Sequence, residues 1–180
     1  KKSRELEPTN KDILFGQGLY DYFAVVMPER HPIIRPIMWF LREGDKERGL
    51  RELDEVAHSG LYARVEAQYF LSQIYRLFEG DPARSLVYQE ELLRQYPDNA
   101  VFHRNTARTL VALARWPQAL QLYREYVQRS EEGRAGYHPR GRIESLFYIG
   151  KRAFALGRSE DAIRAFATIA APDGGSDGTG

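Results

Sequence analysis

Apolar residues return at helical spacing through most of this chain, in paired stripes divided by short turns. The pattern is clearest up to Asn99. Ala67, Phe70, Leu71, Ile74, Tyr75 and Phe78 are spaced by three, one, three, one and three residues, which puts them on one face of a helix. Gly80-Asp81-Pro82 then supplies a turn, an N-cap and a proline already set for a first helical turn. Tyr88, Leu92 and Tyr96 mark one ridge of the returning helix, which stops at Pro97-Asp98-Asn99. Tyr69 to Asn99 therefore reads as two helices and a tight turn.

The same grammar extends in both directions. Residues 1–8 are charged and aperiodic and read as a flexible leader. After the possible caps Thr9 and Asn10, the stripe Phe15, Leu19, Tyr22, Phe23 and Val26 predicts an N-terminal helix over 10–27, with Gly16 and Gly18 allowing close helix approach. Three prolines in 28–36 predict an extended or kinked loop. Repeats follow at about 37–60, 61–99, 100–130 and 140–171. The first opens on the apolar run Ile37 to Leu41, expected to be buried, and has a Gly44-Asp45 turn and an inner stripe of Gly49, Leu50, Leu53, Val56 and Ala57. The third carries Phe102, Thr106, Thr109, Leu110 and Leu113, then Ala119, Leu120, Tyr123 and Val127. The fourth carries Ile143, Leu146, Phe147, Gly150, Ala153 and Phe154, then Ala162, Ile163, Phe166, Ile169 and Ala170. Residues 172–180 have no apolar content and read as a flexible tail.

The spacing distinguishes a repeat from a mere run of helices. Ser85-Leu86 and Ala119-Leu120 lie 34 residues apart. Ala162-Ile163 follows after 43, the excess falling in the polar connection around Ser130 to Gly141. On these residues the chain resembles the tetratricopeptide repeat family of 34-residue helix pairs. Leu71, Ser72 and Tyr75 stand where that family places leucine, glycine and tyrosine, and Ser85 and Pro97 match its small residue and closing proline. Ala107, Leu110, Ala119 and Tyr123 match in the next repeat, and Gly150, Gly157, Ala162 and Phe166 in the last. GLYDYFAVVMP, GDKERGL and EAQYFL also resemble a subgroup with eukaryotic relatives linked to organelle membranes and inclusion clearance. Departures are Gln89 in place of an aromatic, a third repeat without a Gly-Asp turn, and one extra residue at Glu79. The resemblance implies an all-α fold, a right-handed superhelical solenoid of antiparallel helix pairs with about 8–9 helices, in a single domain over 9–171.

Composition changes this picture little. With 26 basic against 25 acidic residues, the overall field does not favour nucleic acid or an anionic membrane, so only a local patch can carry an electrostatic argument. The absence of cysteine removes disulfides and thiolate chemistry. No apolar run reaches the roughly 20 residues of a membrane span. The chain starts at Lys1 without methionine, which leaves a removed secretion signal, and with it cytoplasm or periplasm, open.

Candidate chemistry is sparse. His31, His58, His103 and His138 show no metal-ligand spacing, GQGLYDYF lacks the third glycine of a phosphate loop, and no serine sits in a nucleophile elbow. Neither a cofactor nor catalysis is expected. An enzymatic reading would need a pocket near Tyr22, His31 and Arg35. The aromatic excess suits core packing better than base stacking.

In solenoids the first helices of successive pairs line an inner groove. The resemblance then assigns to it Tyr69, Gln73 and Arg76; Arg104, Asn105 and Arg108; and Phe147, Tyr148 and Lys151. Such a groove is basic with aromatic walls and suits an acidic peptide or a C-terminal carboxylate. The alternative is that these arginines pair with Glu66, Glu90 or Glu144 and solvate the surface. Only Asn105 falls on the family's carboxylate clamp, so a chaperone-tail receptor is not implied. The expected function is a non-catalytic protein-binding scaffold. The alternative is self-assembly to a homo-oligomer through the outer flank of the last helix, Asp161 to Ala170.

Overall fold

The computed structural model describes residues 11–38 and 40–170, with Ile37 and Met38 described for their backbone only. The leader 1–8, the caps Thr9 and Asn10, Trp39 and the tail 172–180 lie outside the described residues. The fold is all-α. Among the described residues are nine α-helices, one short 3-10 turn and no strand. The helices are α1 Ile13–Arg30, α2 Arg35–Met38, α3 Lys46–Ser59, α4 Arg64–Leu77, α5 Pro82–Gln95, α6 Ala100–Ala112, α7 Trp116–Glu131, α8 Pro139–Ala155 and α9 Ser159–Ala170. They group into two compact units that divide between Leu92 and Leu93.

In the first unit, α1 packs on α3 and α3 on α4. The core collects Leu14, Tyr22 and Val26 of α1, Leu53, Val56 and Ala57 of α3, and Ala67, Leu71, Ile74 and Tyr75 of α4. α1 crosses α3 at two glycines: a Cβ on Gly49 would stand 2.6 Å from the Gly18 carbonyl oxygen, and one on Gly18 would stand 2.9 Å from that of Gly49. No other side chain allows so close a crossing. Gly16, by contrast, faces open space.

α1 runs three residues past the expected end at 27, through Pro28 to Arg30. Proline costs a helix the hydrogen bond of its missing N–H. The loss falls here in the last turn, which the His31 N–H closes on the Met27 carbonyl at 2.8 Å. Arg30 adds a second tie, its guanidinium 4.6 Å from the Phe78 ring centre and donating to the Phe78 carbonyl at 2.9 Å. Pro32–Ile34 form a 3-10 turn and Arg35–Met38 a single helical turn, so the proline segment is compact rather than extended. The expected burial of the run ending at Leu41 fails at its described end, since Phe40 is 86% and Leu41 49% exposed.

The turn residues act as their chemistry requires. Asp45 and Asp81 accept the backbone N–H groups of Arg48 and Arg84, each at 2.9 Å. Gly80 and Gly157 take positive φ values of 64° and 71° in the turns after α4 and α8. Asp12 reaches across sequence to accept three successive backbone N–H groups, those of Leu61, Tyr62 and Ala63, each at 3.0 Å, where α4 begins without a side-chain cap of its own. α5 returns on α4 through Ser85, whose hydroxyl donates to the Ser72 carbonyl at 2.7 Å, and through the stacked rings of Tyr75 and Tyr88.

In the second unit, α6 packs on α7, α7 on α8, and α8 on α9. Asn99 caps α6 by accepting from Val101 and Phe102. Ala119, Tyr123 and Tyr126 form the buried ridge of α7. Leu146, Gly150 and Ala153 of α8 face Ala162 and Ala165 of α9, with the Phe166 ring lying over Gly150.

Candidate functional site

The helical period places Arg104 and Arg108 one turn apart on α6, and Glu144, Tyr148 and Lys151 one turn apart in succession on α8. α7 contributes Tyr123 beneath them. Arg108 grips Glu144 with Nε on Oε1 and Nη2 on Oε2, the second bond measuring 2.5 Å, in the two-pronged arrangement that fits guanidinium to carboxylate. Arg104 stands on the other side, its Nε 3.8 Å from Glu144 Oε2. The hydrogen bond to Glu144 holds the Arg108 pKa above its usual value. Two guanidinium groups thus face one carboxylate. Lys151 is exposed and, among the described residues, makes no ion pair.

The aromatic part is layered. Tyr148 stacks on Tyr123 with ring centres 5.0 Å apart and planes 3° from parallel. Tyr123 is fully buried, and its hydroxyl has no hydrogen-bond partner among the described residues. Burial raises its pKa, and the neighbouring Tyr148 and Glu144 add to the rise. Phe147 meets Tyr148 edge to face and stays 47% exposed. Asn105 is only 6% exposed and offers little to a ligand.

The residues assigned to the groove on α4 form a separate cluster in the first unit. Arg76 donates to the Gln73 side-chain oxygen at 2.8 Å, Gln73 donates to the Ser72 hydroxyl at 3.1 Å, and Tyr69 meets Phe70 edge to face. The trio Tyr22, His31 and Arg35 is not gathered into one site. Tyr22 is wholly buried with its hydroxyl 2.5 Å from Glu79 Oε1, whereas His31 and Arg35 are exposed.

Three polar networks escape a reading of periodicity. Asp21, 1% exposed, is held by Arg42 at 2.5 Å and Arg48 at 2.7 Å. The Arg48 hydrogen bond is the largest influence on its pKa, which lies below the usual carboxylate range despite burial. Glu79 joins Tyr22 to Lys46, whose Nζ is 2.8 Å away. The extra loop residue that departs from the repeat pattern is therefore a structural anchor. In the second unit, His103 is 1% exposed, with Nδ1 3.2 Å from the Tyr137 hydroxyl, which itself accepts from Arg129 at 2.7 Å. That arrangement makes the hydroxyl a donor to a neutral imidazole, and burial together with the Arg129 charge brings the His103 pKa down to about 4. A carboxylate in the stripe of α1 and a histidine in that of α6 were the available signals, but their partners lie 21 to 34 residues away.

Among the described residues, no three His, Asp or Glu side chains gather as a metal site, and no helix is long and apolar enough to cross a membrane. No protein-family model and no curated protein sequence matches this chain.

Proposed function

We propose that this chain is a non-catalytic scaffold of tetratricopeptide-like helix pairs, and that its second unit binds an acidic peptide segment on the face made by α6 and α8. The register of Ser85, Ala119 and Ala162, and the small-residue packing of Ser85 on Ser72 and of Phe166 over Gly150, support the repeat reading. The observation that carries the binding reading is the pairing of surplus charge with an exposed ring. Arg104, Arg108 and Lys151 outnumber Glu144 beside the half-exposed Phe147. Packed helices present these groups already ordered, so a peptide meets little reorganisation cost on the protein side. Calorimetric titration with a glutamate-rich peptide tests this. Lys151→Glu and Phe147→Ala each weaken binding on this reading, and an affinity unchanged by both removes it.

Self-association is the second reading. Phe154 is 71% and Ile163 66% exposed on α8 and α9, a surface of the kind that a second copy would cover. Sedimentation over a range of concentrations tests it, and a strict monomer excludes it.

A further inference from the structure

The opposite flank of α8 borders a second surface. Leu146, Ile149, Ala153 and Leu156 floor a cleft of about 380 Å³ walled by α7 and α9, which add Leu120 and Ala165. By the 3.6-residue period this flank lies roughly opposite the one that carries Glu144, Tyr148 and Lys151. The floor is apolar and the rim is cationic: Arg124, Arg152, Arg158 and Arg164 line the cleft against the single acid Asp161. Arg164 is spent on Asp161, with Glu160 3.9 Å away, and Arg152 lies 5.1 Å from the Trp116 ring centre. Arg124 and Arg158 are exposed, and neither makes an ion pair among the described residues. The volume falls in the range of built ligand pockets, and unspent guanidinium groups over an apolar floor are the complement of a carboxylate beside an aliphatic side chain.

We infer that this α7–α8–α9 cleft is a docking site for an acidic peptide segment that inserts an apolar side chain between Leu120, Leu146 and Leu156 and sets its carboxylates on Arg124 and Arg158. Charge complementarity selects the occupant. An uncharged apolar segment would gain nothing from the exposed guanidinium groups of the rim, and a simple anion would leave the floor wet. The site stands apart from the α6–α8 face, since it uses the other side of the shared helix.

The test is a titration of the full chain, methyl-labelled at leucine, with a peptide of glutamates flanking a Leu-Leu pair, against its glutamine counterpart. The expected result is that the glutamate peptide shifts the Leu120, Leu146 and Leu156 methyl resonances while the glutamine peptide does not. The double variant Arg124→Glu/Arg158→Glu then weakens binding by about tenfold or more at low salt, while Lys151→Glu leaves these shifts in place. Leu156→Glu, at a half-exposed position, is the second variant should the double one fail to fold, and it abolishes the shifts of the remaining Leu120 and Leu146 methyls. Absence of methyl shifts, or binding indifferent to both cleft variants but lost with Lys151→Glu, overturns the cleft and leaves the α6–α8 face standing. Shifts given by dodecanoate but not by the peptide also overturn it, in favour of a lipid carboxylate.

Discussion

Arg108 on α6 and Glu144 on α8 are joined by two parallel hydrogen bonds, and this pair divides the cations of the candidate face into bound and available ones. Glu144 is a built-in competitor for any acidic ligand. Replacing it by glutamine frees Arg104 and Arg108 without changing shape. We expect Glu144→Gln to strengthen binding of a glutamate-rich peptide by about fivefold, at a stability cost of about 1 kcal/mol because both partners are partly solvated. Weaker binding in the calorimeter would mean that the face does not recognise acids.

Gly16 of α1 and Gly49 of α3 should respond to alanine in opposite directions. Gly49→Ala drives a methyl to within 2.6 Å of the Gly18 carbonyl oxygen, a backbone atom that cannot swing away. The strain, about 2 kcal/mol or more, outweighs the gain of about 1 kcal/mol in helix propensity. Gly16→Ala meets nothing within 4 Å and keeps the propensity gain. Chemical denaturation of the two variants should move the midpoint down for Gly49→Ala and up for Gly16→Ala.

Asp12 replaces a missing helix cap from a distance. Its carboxylate receives three N–H groups at the start of α4, so Asp12→Ala leaves all three without that acceptor. A loss of about 1–2 kcal/mol is expected by analogy with local caps. Hydrogen exchange at Tyr62 and Ala63 should quicken in the same variant, and unchanged protection would show that the contact is idle.

His103 imposes a pH dependence whose sign follows from its depressed pKa. The unfolded chain takes up a proton near pH 6.5 and the folded one near pH 4, so between these values the unfolded state holds more protons. Stability from this group is complete above about pH 6.5 and declines as pH falls, by about 2 kcal/mol at pH 5. The groups around the ring are Arg129, Glu125, Tyr126 and Tyr137. In His103→Phe the slope of denaturation midpoint against pH between 7 and 5 should flatten relative to the unaltered chain. An equal slope would place the titration elsewhere.

Helix number, turn positions and most core stripes were legible because they follow from local rules. Asp45, Asp81 and Asn99 cap helices that begin where the residue types require, and the α4 stripe is buried at Ala67, Leu71, Ile74 and Tyr75 as its spacing predicts. Local rules failed where tertiary contacts compensate a local cost. Pro28 stays helical because Arg30 and the Met27 carbonyl tie the last turn down. In the last two helices the assigned stripe overstates burial: Phe154 and Ile163 each follow a buried alanine by one position, about 100° round the helix, and are exposed. The candidate face was legible as a list of cations with Glu144 among their possible acids, and the structure adds that Arg108 takes Glu144 in two hydrogen bonds with Arg104 beside it. The arginine-rimmed cleft on the other flank of α8 was not legible at all, because its residues come from three helices and the turn between the last two.

The amino-acid sequence by itself determined an all-helical protein of short helices, their caps and turns, and one oily stripe per helix, because each of these depends on residues within a turn or two. Tertiary structure decided which charges are spent. Asp21 is neutralised by Arg42 and Arg48, Glu144 by Arg108, and Arg124 and Arg158 are left without an ion pair among the described residues, because ion pairing depends on distances between helices that no local pattern encodes.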